Sequence, residues 1–326
     1  MALAGTPPTR DGSPALTLRP ATAEDLPTCA AIWRDSINDY TRRLNQPDIP
    51  DDLGSILRLY GHLQAADPEG FVVAESVDPA GAPRVVAFAS ALRRPPLWFL
   101  SMLFVLPEAQ ASGVGRRLLR AVMPPQGTMT LATCTDTAQP ISNGLYASLG
   151  IVPRLPLFRL VGLPDRLDAL PPLPSGVRGV RFDDLGLGHG ALRDTDLEDE
   201  LAKIDVEVAG FEHRQDHAFV RAEGRIGTLF VDGDGRAVGY GYASEAGRVG
   251  PIAVRDAALL APAVAHVVTT IEPRGAFGVW LPGDADETTV ALLRAGFRID
   301  GFPCLICWER PFADFSRYVP VSPGLL

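Results

Sequence analysis

The sequence predicts an α/β (α+β) chain of two domains built on one repeated plan. Three observations carry that prediction. Trp98 to Val122 (WFLSMLFVLPEAQASGVGRRLLRAV) reads as a buried strand, a glycine-bearing loop and a helix. Strand-like and helix-like segments alternate on both sides of it. Elements of the first half also recur in the same order roughly 146 to 152 residues later. The length of 326 residues suits two ordinary domains, and 46% apolar content suffices for a core in each.

The opening MALAGTPPTRDGSPA has no basic segment followed by an apolar one, so residues 1–15 are expected to be a disordered tail and not a secretion signal. No run approaches the roughly 20 apolar residues of a membrane span. A cytoplasmic protein without a membrane partner is expected. Cys29, Cys134, Cys304 and Cys307 are scattered, and the one Cys-x-x-Cys, at 304–307, has strand-like flanks and no second pair. It reads as a buried strand with two thiols ahead of a zinc or redox site, and no metal is expected. Residues 1–170 carry 15 basic and 16 acidic side chains, and residues 171–326 carry 15 and 23. That balance argues against nucleic acid. The acidic second half serves solubility or favours a cationic partner.

Taken in order, Leu16–Arg19 alternates as a strand. Thr22 and Asp25 have capping-box spacing ahead of a helix through Leu26, Ile32, Trp33 and Ile37. A second helix is expected over Leu53–Gln64. Phe71–Val77 and Arg84–Leu92 form a hairpin around the turn Asp78-Pro79-Ala80-Gly81. Thr128–Thr133 is the next strand. Pro140–Leu149 is a helix that Gly150 ends, and Val152–Val161 is the last strand of the first half.

The loop Gln110-Ala111-Ser112-Gly113-Val114-Gly115 comes directly before the helix starting near Arg116. The first N–H groups of a helix have no partner inside it, and glycines let a ligand approach closely. That is an anion site, and equally the minimum that any strand-to-helix turn needs. No Gly-Lys-Ser/Thr follows, and the order Gly-x-Gly-x-x-Gly is absent. LTLRPATAEDL, VLPEAQASGVG and NGLYASLGI, in this order and spacing, resemble the GNAT acetyltransferase superfamily over residues 16–162. The resemblance implies a mixed, mostly antiparallel sheet flanked by helices, with acetyl-CoA as cosubstrate. It implies that Leu103, Phe104 and Val105 face the pantetheine arm with backbone N–H and C=O groups. It further implies that Gln110, Ala111, Ser112, Gly113, Val114, Gly115 and Arg116 hold the pyrophosphate, and that Asn143 bonds the pantetheine amides. Tyr146, in the lY-x-x-x-G helix, is the implied general acid; a packed core aromatic is its other reading.

Residues 163–176 (LPDRLDALPPLPSG) read as a proline-rich linker. Residues 177–326 then echo the first half: Ala237–Ser244 matches the strand at 85–91, and Ala291–Phe297 matches the helix ending at Gly150. The resemblance is to tandem proteins of this superfamily, with a degenerate second copy. Arg255-Asp256-Ala257-Ala258 replaces the glycine loop, and Leu292 stands where Tyr146 does. His213 and His217 are four apart and are expected on a helix surface or lining an acceptor groove, ahead of a metal role. Asp194–Glu207 is expected to be a solvated acidic helix face first and a landing site for a cation second. Glu75 is a candidate base, beside a surface position or a water relay.

Acyl transfer to an amine needs an unprotonated amine, a polarised thioester carbonyl and a proton for the leaving thiolate. A tyrosine with a pKa of about 10 is protonated at pH 7 and donates to sulfur. The function that the resemblance implies is acetyl transfer from acetyl-CoA to an amine, expected to be that of a small molecule, by direct transfer. Open beside it are a non-catalytic acyl-CoA-binding protein and an enzyme using another acyl donor. The partner expected is the amine acceptor, and a homodimer is left open.

Overall fold

The computed structural model describes residues 16–77, 81–185 and 194–326. The expected tail at 1–15 lies outside the described residues, as do 78–80 of the expected turn. The chain forms two compact units. One comprises the described residues up to Arg93 together with Leu100–Pro125. The other comprises Arg94–Phe99 and the described residues from Gln126 on.

The first unit contains β1 (Thr17–Pro20), α1 (Leu26–Arg43), α2 (Gly54–Ala66), β2 (Phe71–Val77), most of β3 (Pro83–Arg94), most of β4 (Leu97–Val105) and α3 (Val114–Val122). β1 pairs antiparallel with β2 (Thr17 opposite Glu75), and β2 with β3 (Phe71 opposite Ser90), which bears out the hairpin. The Asp25 carboxylate accepts from the Thr22 N–H at 2.7 Å, as the capping-box spacing predicts. Cys29, Ile32 and Ser36 fall three and four residues apart, so α1 buries them on one face. Tyr60, Phe71 and Phe88 pack ring to ring beneath, with centroids 5.3 to 6.0 Å apart.

The second unit continues with β5 (Thr130–Asp136), α4 (Pro140–Ala147), β6 (Val152–Gly162), β7 (Arg178–Arg181), α5 (Asp194–Val208), α6 (Arg214–Ala222), β8 (Ile226–Val231), β9 (Ala237–Ala243), β10 (Val249–Val254), α7 (Leu260–Thr269), β11 (Phe277–Pro282), α8 (Asp286–Ala295), β12 (Arg298–Ile299), β13 (Cys304–Trp308) and β14 (Tyr318–Val319). β7, β8, β9 and β10 form an antiparallel meander, closed on the other side of β10 by β14. The β7–β8–β9 part repeats the antiparallel β1–β2–β3 pairing of the first unit, which is the internal repeat seen as echoes in the sequence.

A second ladder runs β5–β13–β6–β11, antiparallel throughout, with Ile306 opposite Cys134 on one side and Leu155 on the other. This corrects the expected domain boundary. Strands on both sides of the 163–176 linker share one ladder, because β13 is inserted between β5 and β6, and β6 also pairs with β11. A proline-rich segment marks a break in local structure; it does not say which strands meet beyond it. Cys307 is buried and Cys304 half-buried in β13, in keeping with the strand reading of the Cys-x-x-Cys.

Arg94, at the end of β3, reaches Asp216 on α6 with two hydrogen bonds of 3.0 Å, from Nε and Nη2. The side chains are 5% and 2% exposed. Replacing Arg94 with Ala leaves the Asp216 carboxylate buried without its guanidinium. The expected cost is about 3–5 kcal/mol, read as a lower midpoint in chemical denaturation. No helix among the described residues is long and apolar enough to cross a membrane.

Candidate coenzyme A site

β4 is buried from Leu97 to Met102 and becomes half-exposed at Leu103, Phe104 and Val105, where it runs toward the loop. The Val105 carbonyl accepts from Ser36 Oγ at 2.9 Å and from Gln110 Nε2 at 3.2 Å. Both its lone pairs are engaged, which corrects the expectation that this C=O serves the pantetheine arm. It also shows that the Gln110 side chain ties the loop back to the strand and does not point at a phosphate. Ser36 is absent from the residues singled out by sequence; its place on the buried face of α1 is the signal that marks it.

Beyond Gln110 the backbone takes the left-handed region twice, at Ala111 (φ 61°) and Gly113 (φ 81°). Gly113 is the N-cap of α3. Among the described residues, the N–H groups of Ala111, Ser112, Gly113, Val114, Gly115 and Arg116 have no hydrogen-bond acceptor. The first intrahelical bond runs from Arg117 N–H to Gly113 O. Consecutive unpaired donors at the positive end of a helix make a concave oxyanion site. Apart from the buried Val114 side chain, this stretch is exposed or half-exposed, with Arg116 exposed. No Cβ placed on Gly113 would collide with anything, so the glycine is required by its φ and not by crowding.

Tyr146 and Asn143 stand on α4, in the second unit. Tyr146 is 5% exposed. Burial pushes its phenol far above the ordinary tyrosine value, reinforced by Cys307 and partly offset by a hydrogen bond with Ser142. The hydroxyl is therefore held protonated at neutral pH. Asn143 Nδ2 donates to the carbonyls of Asp136 (3.1 Å) and Gln139 (2.9 Å), clamping the end of β5 to the start of α4. Its Oδ1 is buried and has no partner among the described residues. An orphaned acceptor of this kind fits an amide N–H of a pantetheine arm.

The second copy differs in the expected place. After β10, the Asp256 carboxylate accepts from the Ala258 N–H at 3.0 Å and caps the helical segment that leads into α7. The cap takes up an N–H group that is left unpaired at the corresponding place in the first copy. Leu292 is buried, 1% exposed.

Three further expectations are settled by geometry. Glu75 accepts from Arg19 Nε and Nη2 at 2.9 and 2.7 Å, and so is a partner of a guanidinium in the fold. His213 and His217 do not lie on a surface: they are 1% and 0% exposed. Asp205, within the stretch read as a solvated face, is wholly buried between them. Its carboxylate accepts from Tyr240 at 2.6 Å and lies 3.0 Å from His217 Nε2, while His217 Nδ1 lies 3.0 Å from Tyr242 Oη. Burial raises the Asp205 carboxyl, but His213, His217 and Tyr240 outweigh it and hold the pKa below the usual value. Burial also lowers His213. Helical spacing placed the two histidines on one face correctly; which face is covered depends on the packing of α5 and β9.

Residues 31–151 match the model of the acetyltransferase (GNAT) family. No curated protein matches the chain by sequence. A structure from Pyrococcus horikoshii described as an acetyltransferase superposes with a TM-score of 0.69 at 14% identity, covering 95% of this chain and 96% of the other. A GCN5-related N-acetyltransferase from Sphaerobacter thermophilus gives 0.56 at 17% identity, over 93% and 98%. One from Kribbella flavida gives 0.51 at 17% identity, over 90% and 70%. At these identities the likeness is one of fold. The chain thus has the fold of these acetyltransferases along most of its length, and the match to the acetyltransferase (GNAT) family model falls on the part that carries the glycine loop.

Proposed function

We propose that the protein is an acyl-CoA-dependent N-acyltransferase that moves an acetyl group from acetyl-CoA directly to the amine of a small molecule. The observation that carries this reading is the run of unpaired N–H groups from Ala111 to Arg116 at the start of α3. Those groups hold the pyrophosphate, and Asn143 Oδ1 takes a pantetheine N–H. The half-exposed β4 end supplies the backbone of Leu103 and Phe104 to the arm. Tyr146 gives its proton to the departing thiolate. An amine acceptor is supported by the net charge of −8 over residues 171–326, which attracts cations.

Calorimetric titration of acetyl-CoA and of free coenzyme A into the full chain tests it. One site is expected. Gly113→Glu forces a side chain onto a left-handed residue and puts a carboxylate in the nest, so affinity drops by about a hundredfold or more. No binding to the unaltered protein removes the reading. Two sites would show that Asp256 does not block the second copy. A non-catalytic acyl-CoA-binding protein is the competing reading, motivated by Glu75 being held by Arg19; it predicts the same titration without turnover.

A further inference from the structure

Arg225 follows α6 and leads into β8, and it is 8% exposed. Its Nη1 donates to the Gly250 carbonyl. Its Nε is buried without a partner, and Nη2 bonds no described residue either. The charged side chains acting on it are Arg248 and Glu223, and Glu223 is already bonded by Arg248 Nη1 at 2.6 Å. Burial first, and Arg248 second, pull the Arg225 pKa down to about 10, against the opposing effects of Glu223 and Tyr242. The guanidinium stays charged at pH 7. A buried cation normally lies against a carboxylate, since desolvation without a partner is costly.

Arg94 in the same unit shows the ordinary solution: its Nε and Nη2 both bond Asp216. That edge of a guanidinium matches the two oxygens of a carboxylate or phosphate. Arg225 presents the same edge with no acceptor on it among the described residues. Its other side is held by β10, whose pairing with β9 is interrupted between Val249 and Ile252. Gly250 lies in the left-handed region (φ 106°), and a Cβ there would come within 2.6 Å of the Pro320 carbonyl. The backbone is therefore built to aim this carbonyl at Arg225.

We propose that the Nε/Nη2 edge of Arg225 is the receptor for a small oxyanion, the carboxylate or phosphate group of a ligand bound by the second unit. The inference is independent of the acyl-transfer reading.

Isothermal titration of malonate and of inorganic phosphate in chloride buffer tests it. The full chain carries Gly113→Glu, so that the Ala111–Arg116 loop contributes no phosphate binding. Saturable one-site binding of at least one probe is expected, and the tighter probe identifies the source of the oxyanion. Arg225→Met is expected to weaken it at least tenfold while the denaturation midpoint stays or rises, because a buried cation has been removed. Arg225→Lys keeps the charge but loses the fork, and is expected to bind more weakly than the parent. The proposal is overturned if neither probe saturates the parent, or if Arg225→Met binds as the parent does. Should the Met variant fail to fold, Arg225→Lys decides: affinity equal to the parent excludes the bidentate receptor.

Discussion

Tyr146→Phe is expected to lower the turnover number about a hundredfold or more and to leave the calorimetric affinity for coenzyme A within about twofold of the parent. The substitution deletes one oxygen from a side chain that is 5% exposed. The ring and its packing on α4 are retained, so fold and cofactor binding are not expected to move. On the proposed reading, what is lost is the proton for the leaving thiolate. The phenol is held protonated above the ordinary tyrosine range, first by burial and then by Cys307. The acid form therefore persists through the whole physiological range. The alkaline limb of the kcat profile should fall only above the ordinary tyrosine pKa, and in Tyr146→Phe that limb should vanish. Unchanged turnover in the variant would assign Tyr146 to the core; absence of turnover in the parent would favour the non-catalytic reading.

The fragment 1–162, cut at the proline-rich segment, is expected not to fold into a monomer with a single cooperative unfolding transition. Independent domains would give a soluble fragment that binds acetyl-CoA. The ladder argues otherwise. Without residues beyond 162, β5 and β6 lose the strand between them, and β6 loses β11 at its other edge. Ile306 and Cys307, at 0% and 1% exposure, leave the core with β13. Exposed edges of this length are templates for aggregation. Size-exclusion chromatography and a circular-dichroism melt of the fragment decide; a compact monomer would restore the boundary at 163–176. Ending the chain after Ile299 tests the same pairing by removing β13 and β14 alone.

Much of this molecule was legible in local signals. The strand, glycine loop and helix of Trp98–Val122 lie where alternation and turn chemistry put them, as does the Thr22–Asp25 cap. Gly150 (φ 82°) and Gly296 (φ 116°) end their helices in the left-handed region, as the repeat of their motif implied. Strand ends drifted where no breaker marks them: the strand expected at Thr128–Thr133 is Thr130–Asp136. Within the candidate site, the residue types and their order were readable. The partner of each polar group was not: Ser36 on the Val105 carbonyl, Arg19 on Glu75 and the Tyr146–Ser142 contact all join groups by proximity and not by any pattern.

The sequence by itself determined the alternation of elements, the repeat of the strand meander, the oxyanion loop before α3 and the loss of that loop in the second copy. These depend on backbone conformations that particular residues favour or forbid over a few positions, so a short window of residues suffices. The tertiary structure alone decided that β13 lies between β5 and β6 across the linker, and that His213, His217 and Asp205 are a buried hydrogen-bonded group. It alone decided that Arg94 has a carboxylate partner while Arg225 has none among the described residues. Strand order, burial and ion pairing are set by which surfaces exclude water from one another, and that is a property of distant segments brought together.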